Sequence, residues 1–347
     1  MPTFEEIASA ITGVRRAEQA GHRNMMWLSS DRILGVTRDE RGAIEIHIVG
    51  PALEATDSEV RRALRTDSLQ RQSGDAGEVS WLTLDRGRHL DPVAALICSQ
   101  LLNAGVEVPG QRERAFAEVE PIIRLALEKV AAASEVLTGL AGELYVLHAL
   151  TEACPDHAAW IADSWAGYDR STRDIQLGPV GIEVKTTTRM MSTHHIQGTH
   201  QVDVGTAVHG GPESDLYLLS VGLLWHADDS DRGESIASLV ENLTARLDEK
   251  RSETFLAKVR QYGGASAVEG GVSISDDDTA WHRRFTSTFQ RMYDMSDPGI
   301  GVLHGADVAE HSHVVADSVS YRIALPAVVE GANPVDGIDE IVSRLIA

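Results

Sequence analysis

Asp174, Glu183 and Lys185 are the residues of this chain whose types and spacing could do chemistry. They lie in "RDIQLGPVGIEVKTTTR", residues 173–189, where Ile175, Leu177, Val180, Ile182 and Val184 read as buried strands. Side chains alternate between the faces of a strand, so Glu183 and Lys185 share one face of "GIEVK" while Ile182 and Val184 take the other. Gly178-Pro179-Val180-Gly181 offers turn chemistry, so Asp174 starts the strand leading into the turn and Glu183 returns beside it. Two neighbouring carboxylates repel, and something must neutralise them. A hard divalent cation is the natural candidate, because Mg2+ needs only one or two carboxylates plus water and substrate phosphate. Lys185 could then position or help deprotonate a water and offset charge developing on a phosphoryl group. A Glu-x-Lys pair on a strand equally makes a salt bridge on a solvated sheet, and the triplet alone does not separate the two readings. The apolar flanks, the preceding Asp and a Gly-Glu pair on a helix upstream favour a site.

The elements that must position these residues can be read from periodicity. Thr3 and Glu6 in "MPTFEEIASA" form a capping box opening a helix, and the segment lacks a signal-peptide core. "NMMWLSSDRILGVTRDERGAIEIHIVG" reads as strands with a turn at 39–42, and "VSWLTLD" as a further strand. "DPVAALICSQLLNAG" reads as a helix capped by Asp91, with Pro92 in its first turn and Gly105 closing it. An α/β domain over residues 1–110 follows, with a boundary near Val108-Pro109-Gly110. From Arg112 to Leu150 the pattern is helical, in two pieces, the second with Leu137, Leu140, Leu144 and Leu147 on one stripe. "DLYLLSVGLLW", residues 215–225, reads as a strand covered on both faces. Ile236, Leu239, Val240, Leu243 and Leu247 fall at helical spacing, and "VSYRIALP" reads as a last strand. Helix, three strands and helix suggest an α/β layer in residues 111–347.

The chain has 347 residues, more than one core usually fills. Its 43% hydrophobic and 24% charged content is ordinary for a soluble globular protein. No apolar run approaches the roughly 18 residues of a membrane span. The two cysteines, Cys98 and Cys154, fit a reducing cytoplasm and argue against a Cys-based zinc site. A net charge of −21 opposes non-specific attraction to nucleic acid, whose phosphates call for a basic footprint.

"GLAGELYVLHAL", a Trp-bearing loop, "RDIQL", "GIEVKTTTR" and a Gln in "HIQGTHQV" together resemble the PD-(D/E)XK nuclease superfamily. More narrowly, they resemble a prokaryotic branch of it found among restriction and phage-defence genes. The close match covers about residues 135–205. The resemblance implies a restriction-endonuclease-like core, a central mixed sheet flanked by helices, carrying the N-terminal α/β domain. It implies that Asp174, Glu183, Glu143 and the Val184 backbone carbonyl hold the metal, and that Lys185 is the catalytic lysine. The downstream glutamine is Gln197 or Gln201, and Arg173 stands where the superfamily has proline. The implied activity is Mg2+-dependent endonucleolytic cleavage of DNA, with Mn2+ as a substitute ion, in restriction or anti-phage defence. The implied partners are DNA and other subunits of such a system, with no membrane and room for a homodimer. Rival readings are a catalytically silent DNA- or protein-binding subunit and a structural partner in a defence complex. The net charge favours the rivals; the intact Asp, Glu and Lys set favours the enzyme.

Other candidates carry less. His194, His195, His200, His311 and His313 lack a Cys or carboxylate partner for zinc. Thr186, Thr187 and Thr188 suit phosphate contacts or a β-branched strand equally. Arg61, Arg62, Arg65 and Arg71, and His282, Arg283 and Arg284, could touch a DNA backbone or line a solvated face. Trp160 and Trp165 read as loop or core anchors. Neither a Walker-type glycine loop nor a Ser-His-Asp signature is present.

Overall fold

A computed structural model describes residues 2–19, 22–40, 42–70, 76–86, 90–167, 171–205, 213–227, 230–264, 279–315, 318–329 and 331–346. In chain order the elements begin α1 (Phe4–Thr12), β1 (Met26–Trp27), β2 (Leu34–Arg38), β3 (Ala43–Val49), α2 (Ser58–Ala63), β4 (Leu64–Gln70), β5 (Ala76–Arg86), α3 (Asp91–Asn103) and α4 (Arg112–Ala153). They continue with α5 (Ala158–Asp163), β6 (Ile175–Leu177), β7 (Val180–Thr187), β8 (Ser192–Ile196), β9 (Asp215–Trp225), β10 (Glu234–Ser235), α6 (Ile236–Thr244) and α7 (Glu249–Gly264). The last are α8 (Thr279–His282), β11 (Arg284–Asp294), α9 (Gly305–Ala309), β12 (Tyr321–Leu325), β13 (Val335–Asp336) and α10 (Ile338–Leu345). Two compact units divide the chain: among the described residues the first runs to Ser134 and also takes Ala227, Thr279 and Ala280, and the second holds the rest from Glu135.

In the first unit β1-β2-β3-β5-β4 form an antiparallel sheet. Ile44, Ile46 and Ile48 alternate onto one face and join Leu34, Val36, Leu82 and Leu84 in a core shared with α1, α3 and the start of α4. The capping box of α1 is present: Thr3 N donates to Glu6 Oε2 at 2.8 Å, and Glu6 N to Thr3 Oγ1 at 3.2 Å. The start of α3 differs from expectation. Leu90 is the cap position, and Asp91 is the first helical residue. Its buried carboxylate accepts from Arg38 on β2, so the acid serves an ion pair rather than the orphan amides of the helix.

In the second unit the sheet order is β10-β11-β9-β7-β6, with β13 also pairing with β11. β7 and β9 run parallel and the other pairs antiparallel. β9 is covered on both faces, as its near-continuous apolar run predicts. Leu219, Val221 and Leu223 pack with Leu140, Leu144 and Leu147 of α4 and with α6, α7 and α10. Leu216 and Leu218 pack with Ile196 of β8 and with Ile323 and Leu325 of β12, which form a separate antiparallel pair. The fold is mixed α/β, a curled mixed sheet flanked by helices with the layout of a restriction-endonuclease-like core.

α4 is one helix of 42 residues where the pattern predicts two pieces, and it runs through Pro121. Proline removes one intrahelical bond and clashes with the preceding turn. Here Phe116, Val119 and Ile123 are buried around it, and that packing holds the helix together. By length and composition α4 also holds a stretch apolar enough to cross a bilayer, which the sequence did not suggest. Leu140, Leu144 and Leu147 are fully buried in the second unit's core, the alternative use of such a helix. β12 is not the last strand; β13 and α10 follow it.

Candidate active site

β6 and β7 form the hairpin that the Gly178-Pro179 turn predicts, with Ile175 opposite Ile182 and Leu177 opposite Val180. Gly178 has φ +60°, a left-handed conformation that glycine adopts without steric cost. Asp174 lies immediately before β6, and its Oδ2 accepts from the Val184 amide at 2.7 Å. Ile182 and Val184 enter the core with Leu219 and Val221. Glu183 and Lys185 therefore point to the opposite face, and Lys185 Nζ lies 2.9 Å from Glu183 Oε1. On the neighbouring strand Lys185 is in register with Ser220, whose hydroxyl meets His194 Nε2 at 2.7 Å.

The fourth residue arrives on α4. A Cβ on Gly142 would lie 1.9 Å from Thr186 Oγ1, so this glycine lets the helix approach β7 closely. That approach brings the next residue, Glu143, into electrostatic reach of Asp174, Glu183 and Lys185. Both of its oxygens are held: Tyr262 OH donates to Oε1 at 2.6 Å and Trp165 Nε1 to Oε2 at 2.7 Å. Trp165 is itself fixed, fully buried, with its carbonyl accepting from Lys258 at 2.8 Å.

Asp174, Glu183, Glu143 and Lys185 lie within electrostatic reach of one another, and burial and charge shift their ionisation. Burial first, then Glu183 and Glu143, pushes the Asp174 carboxyl well above its usual range. Burial raises Glu143 to about 7 against the hydrogen bonds from Tyr262 and Trp165. Burial alone would lower Lys185, but Glu183 and Asp174 outweigh it and raise its pKa. Burial, with Lys185 nearby, lowers His194 to about 4, so it is neutral near pH 7.

The donor set suits a hard divalent ion: oxygen ligands only, and excess negative charge seeking compensation. Among the described residues, no group of three or more His, Cys, Asp or Glu is arranged to hold a metal. Glu143 is bound by its two donors, and Glu183 is engaged by Lys185. The pair that fits an ion with few protein ligands is Asp174 and Glu183, two carboxylates close enough to shift each other's charge.

Arg173, in the position before Asp174, is buried and ion-paired with Glu213, its Nε 2.7 Å from Oε1 and its Nη2 2.6 Å from Oε2. It also donates to the carbonyls of Thr172, His200 and Asp203. A Cβ on Gly181 would lie 1.8 Å from Glu213 Oε1 and 2.8 Å from Arg173 Nε, so the clamp sits against the bare backbone of β7.

The remaining candidates are placed as follows. Gln201 Oε1 accepts from the backbone N–H of Gln197 at 2.8 Å, so the Gln201 side chain is engaged within its own loop. His195, His311 and His313 are exposed, while His194 is buried. Thr187 Oγ1 accepts from the Arg189 amide, Thr186 Oγ1 is buried without a hydrogen-bond partner among the described residues, and Thr188 is exposed. Arg61 donates to the carbonyls of Ala55 and Thr56, Arg62 pairs with Glu59, and Arg65 donates to the carbonyls of Arg62 and Leu64. Arg71 lies outside the described residues. Arg283 donates to His226 O and covers Trp225, Arg284 donates to Gly233 O, and His282 is exposed. Trp160 is half exposed. Tyr262 and Glu213 carry no sequence signal, since each acts across a long stretch of chain; Trp165 does show as an anchor.

The family model described as "Putative PD-(D/E)XK family member (DUF4420)" matches residues 26–285, well over half of the chain and including all four site residues. The chain belongs to this family. No curated protein and no solved structure matches it significantly. The DUF4420 match extends the resemblance beyond residues 135–205 to most of both units, including α7 and its Tyr262.

Glu143 gives a pH signature that this DUF4420 chain should show without metal. Its folded pKa, about 7, is above the ordinary value of 4.5. Between these values the unfolded chain has released the proton and the folded chain keeps it, so stability falls as pH rises. The loss from this group is up to about 3 kcal/mol. Urea unfolding in a chelator at pH 5 and pH 7.5 should show the decline, and Glu143→Gln should make it shallower, leaving the part that Asp174 contributes. Identical slopes in both proteins would count against the burial described.

Proposed function

We propose that the chain is a metal-dependent deoxyribonuclease, or the nuclease subunit of a larger system, cutting DNA endonucleolytically with Mg2+, or Mn2+ in its place. The observation that carries this is the meeting of Asp174, Glu183 and Lys185 at the open end of the β6–β7 hairpin, with Glu183 and Lys185 on the face of β7 opposite Ile182 and Val184. Asp174, Glu183 and the Val184 carbonyl would hold the ion, which supplies Lewis-acid polarisation of the phosphodiester. Lys185 presents its ammonium to the attacking water and to charge growing on the phosphoryl oxygens, and Glu183 fixes where it points. The Val184 amide orients Asp174, while Trp165 and Tyr262 orient Glu143, as the partners of ligating groups commonly do. The biological setting we infer is restriction or anti-phage defence in the cytoplasm, with neighbouring subunits.

A second reading is a silent DNA- or protein-binding subunit. It is favoured by the net charge of −21 and by the direct Lys185–Glu183 pair, which neutralises part of the site without an ion. Plasmid nicking by the purified protein, alone and with the products of neighbouring genes, with and without chelator, separates the two. Nicking that a chelator abolishes is the expected result; none under any condition supports the silent subunit.

The charge also sets the binding behaviour. Affinity for DNA should come from a few cations against a repulsive background, so it should be weak alone and fall steeply with salt. Titrations at several salt concentrations check this, and tight binding unchanged at high salt would contradict it.

A further inference from the structure

The turn after β7 leaves two large apolar side chains in water. Met190 is 72% and Met191 64% exposed, whereas Ile182 and Val184 on the preceding strand are 0% and 6% exposed. The turn is held in shape: Arg189 N donates to Thr187 Oγ1 at 3.1 Å, and Thr193 N to Met191 O at 2.8 Å. Adjacent methionines on an ordered tip form an adaptable apolar wedge.

The surroundings of the wedge say what it fits. His194 and Ile323 face inward on the β8–β12 pair, so the cross-strand partners His195 and Arg322 face outward, and both are exposed. Arg189, beside the methionines, is exposed as well. Among the described residues neither Arg189 nor Arg322 is paired with a carboxylate, in a chain holding 52 acidic and 31 basic residues. The other arginines considered above spend their donors on nearby carbonyls or acids. Arg189 lies at the tip, and Arg322 lies opposite His195, four residues along β8 from Met191, or about 13 Å; guanidiniums without a carboxylate partner beside an apolar tip match a polyanion with apolar interior steps. Apolar residues, methionine among them, enter DNA by wedging between base pairs and unstacking them.

We propose that Met190 and Met191 insert at a base step of duplex DNA, while Arg189, Arg322 and His195 contact the flanking phosphates. This rests on the nuclease reading of the neighbouring site and names how that site acquires its substrate. Five residues separate Lys185 from Met190, at most about 17 Å of extended chain. The disturbed step therefore lies within about five nucleotides of the scissile phosphate, at roughly 3.4 Å per nucleotide.

The experiment uses the full chain with duplexes carrying 2-aminopurine at successive positions, read at low salt, beside plasmid nicking by the same proteins. Wild type should raise 2-aminopurine fluorescence at one position. Met190→Ala/Met191→Ala should abolish that rise while keeping the wild-type melting temperature and salt slope. Arg189→Ala and Arg322→Ala should each weaken binding and lower the slope of log affinity against log salt by about one. A double methionine variant that unstacks DNA as wild type does overturns the proposal, even if wild type nicks plasmid. So does a variant whose only change is loss of self-association in sedimentation, which would make the wedge a contact between copies. Unstacking without nicking upholds the wedge and sinks the nuclease reading; absence of all DNA binding at low salt sinks both.

Discussion

Lys185→Ala is expected to lower metal-dependent DNA cleavage by about 10²–10³-fold, the usual cost of deleting one charge-stabilising donor from an active site. The ammonium is held 2.9 Å from Glu183 and is, among the described residues, the cation that acts on Asp174 and Glu143. Its removal leaves Asp174 and Glu183 to bind an ion, so the rise in melting temperature on adding Mn2+ should persist. It should even grow, because the metal-free variant buries Glu183 without its partner and starts from a lower stability. Nicking rates and thermal melts on one preparation check both halves. A variant that cuts at the wild-type rate would remove Lys185 from the mechanism.

Asp174→Asn should act in the opposite sense on the metal-free protein. Burial, then Glu183 and Glu143, holds the Asp174 carboxyl well above its ordinary range. A carboxyl whose folded pKa is raised stabilises the fold less and less as pH climbs through the window from the ordinary value to the folded one. Asparagine keeps an oxygen for the Val184 amide and carries no charge. The metal-free variant should gain about 1–2 kcal/mol at pH 7.5. At about 2–4 °C per kcal/mol for a unit of this size, that is a rise of several degrees. Wild type should gain about 2.7 kcal/mol from an ion at a hundredfold excess over its dissociation constant, and Asp174→Asn far less. A variant that melts below wild type, with wild type indifferent to Mg2+ and Mn2+, would make the cluster a structural ion-pair network. Asp174 is a better probe than Glu183, whose loss would also strand Lys185.

The legible parts of this protein are those where one short segment carries its own information. Period-two alternation places Glu183 and Lys185 on one face, and the Gly178-Pro179 turn brings Asp174 back beside Glu183. The unbroken apolar run of β9 announces a strand buried on both faces. β11 was not anticipated, because Arg284, Gln290 and Arg291 interrupt its apolar residues although it lies beside β9 in the sheet. The cap of α3 was misplaced because an Asp near a helix start has two uses, and only the position of Arg38, on a distant strand, decides between them. In the site, the Gly-Glu pair of α4 is legible for its acid, while the glycine is what admits the helix. The partners of Glu143 could not be read, since Tyr262 reaches it across a separation that no local pattern spans.

The Arg173–Glu213 clamp ties the history of three positions together. With Arg173 in place, Glu213 must stay acidic, since removing one partner of a buried pair costs about 3–5 kcal/mol. With both in place, any side chain at position 181 would have to displace the buried clamp. A lineage cannot leave this arrangement one substitution at a time without passing through a weakened protein. Relatives should therefore inherit the arginine, the glycine and the glutamate as one set or lack all three. A relative with proline before its aspartate would be released from the glycine as well as the glutamate. Covariation among these sites would thus mark a branch point in the family's descent, independent of any change in Asp174, Glu183 or Glu143.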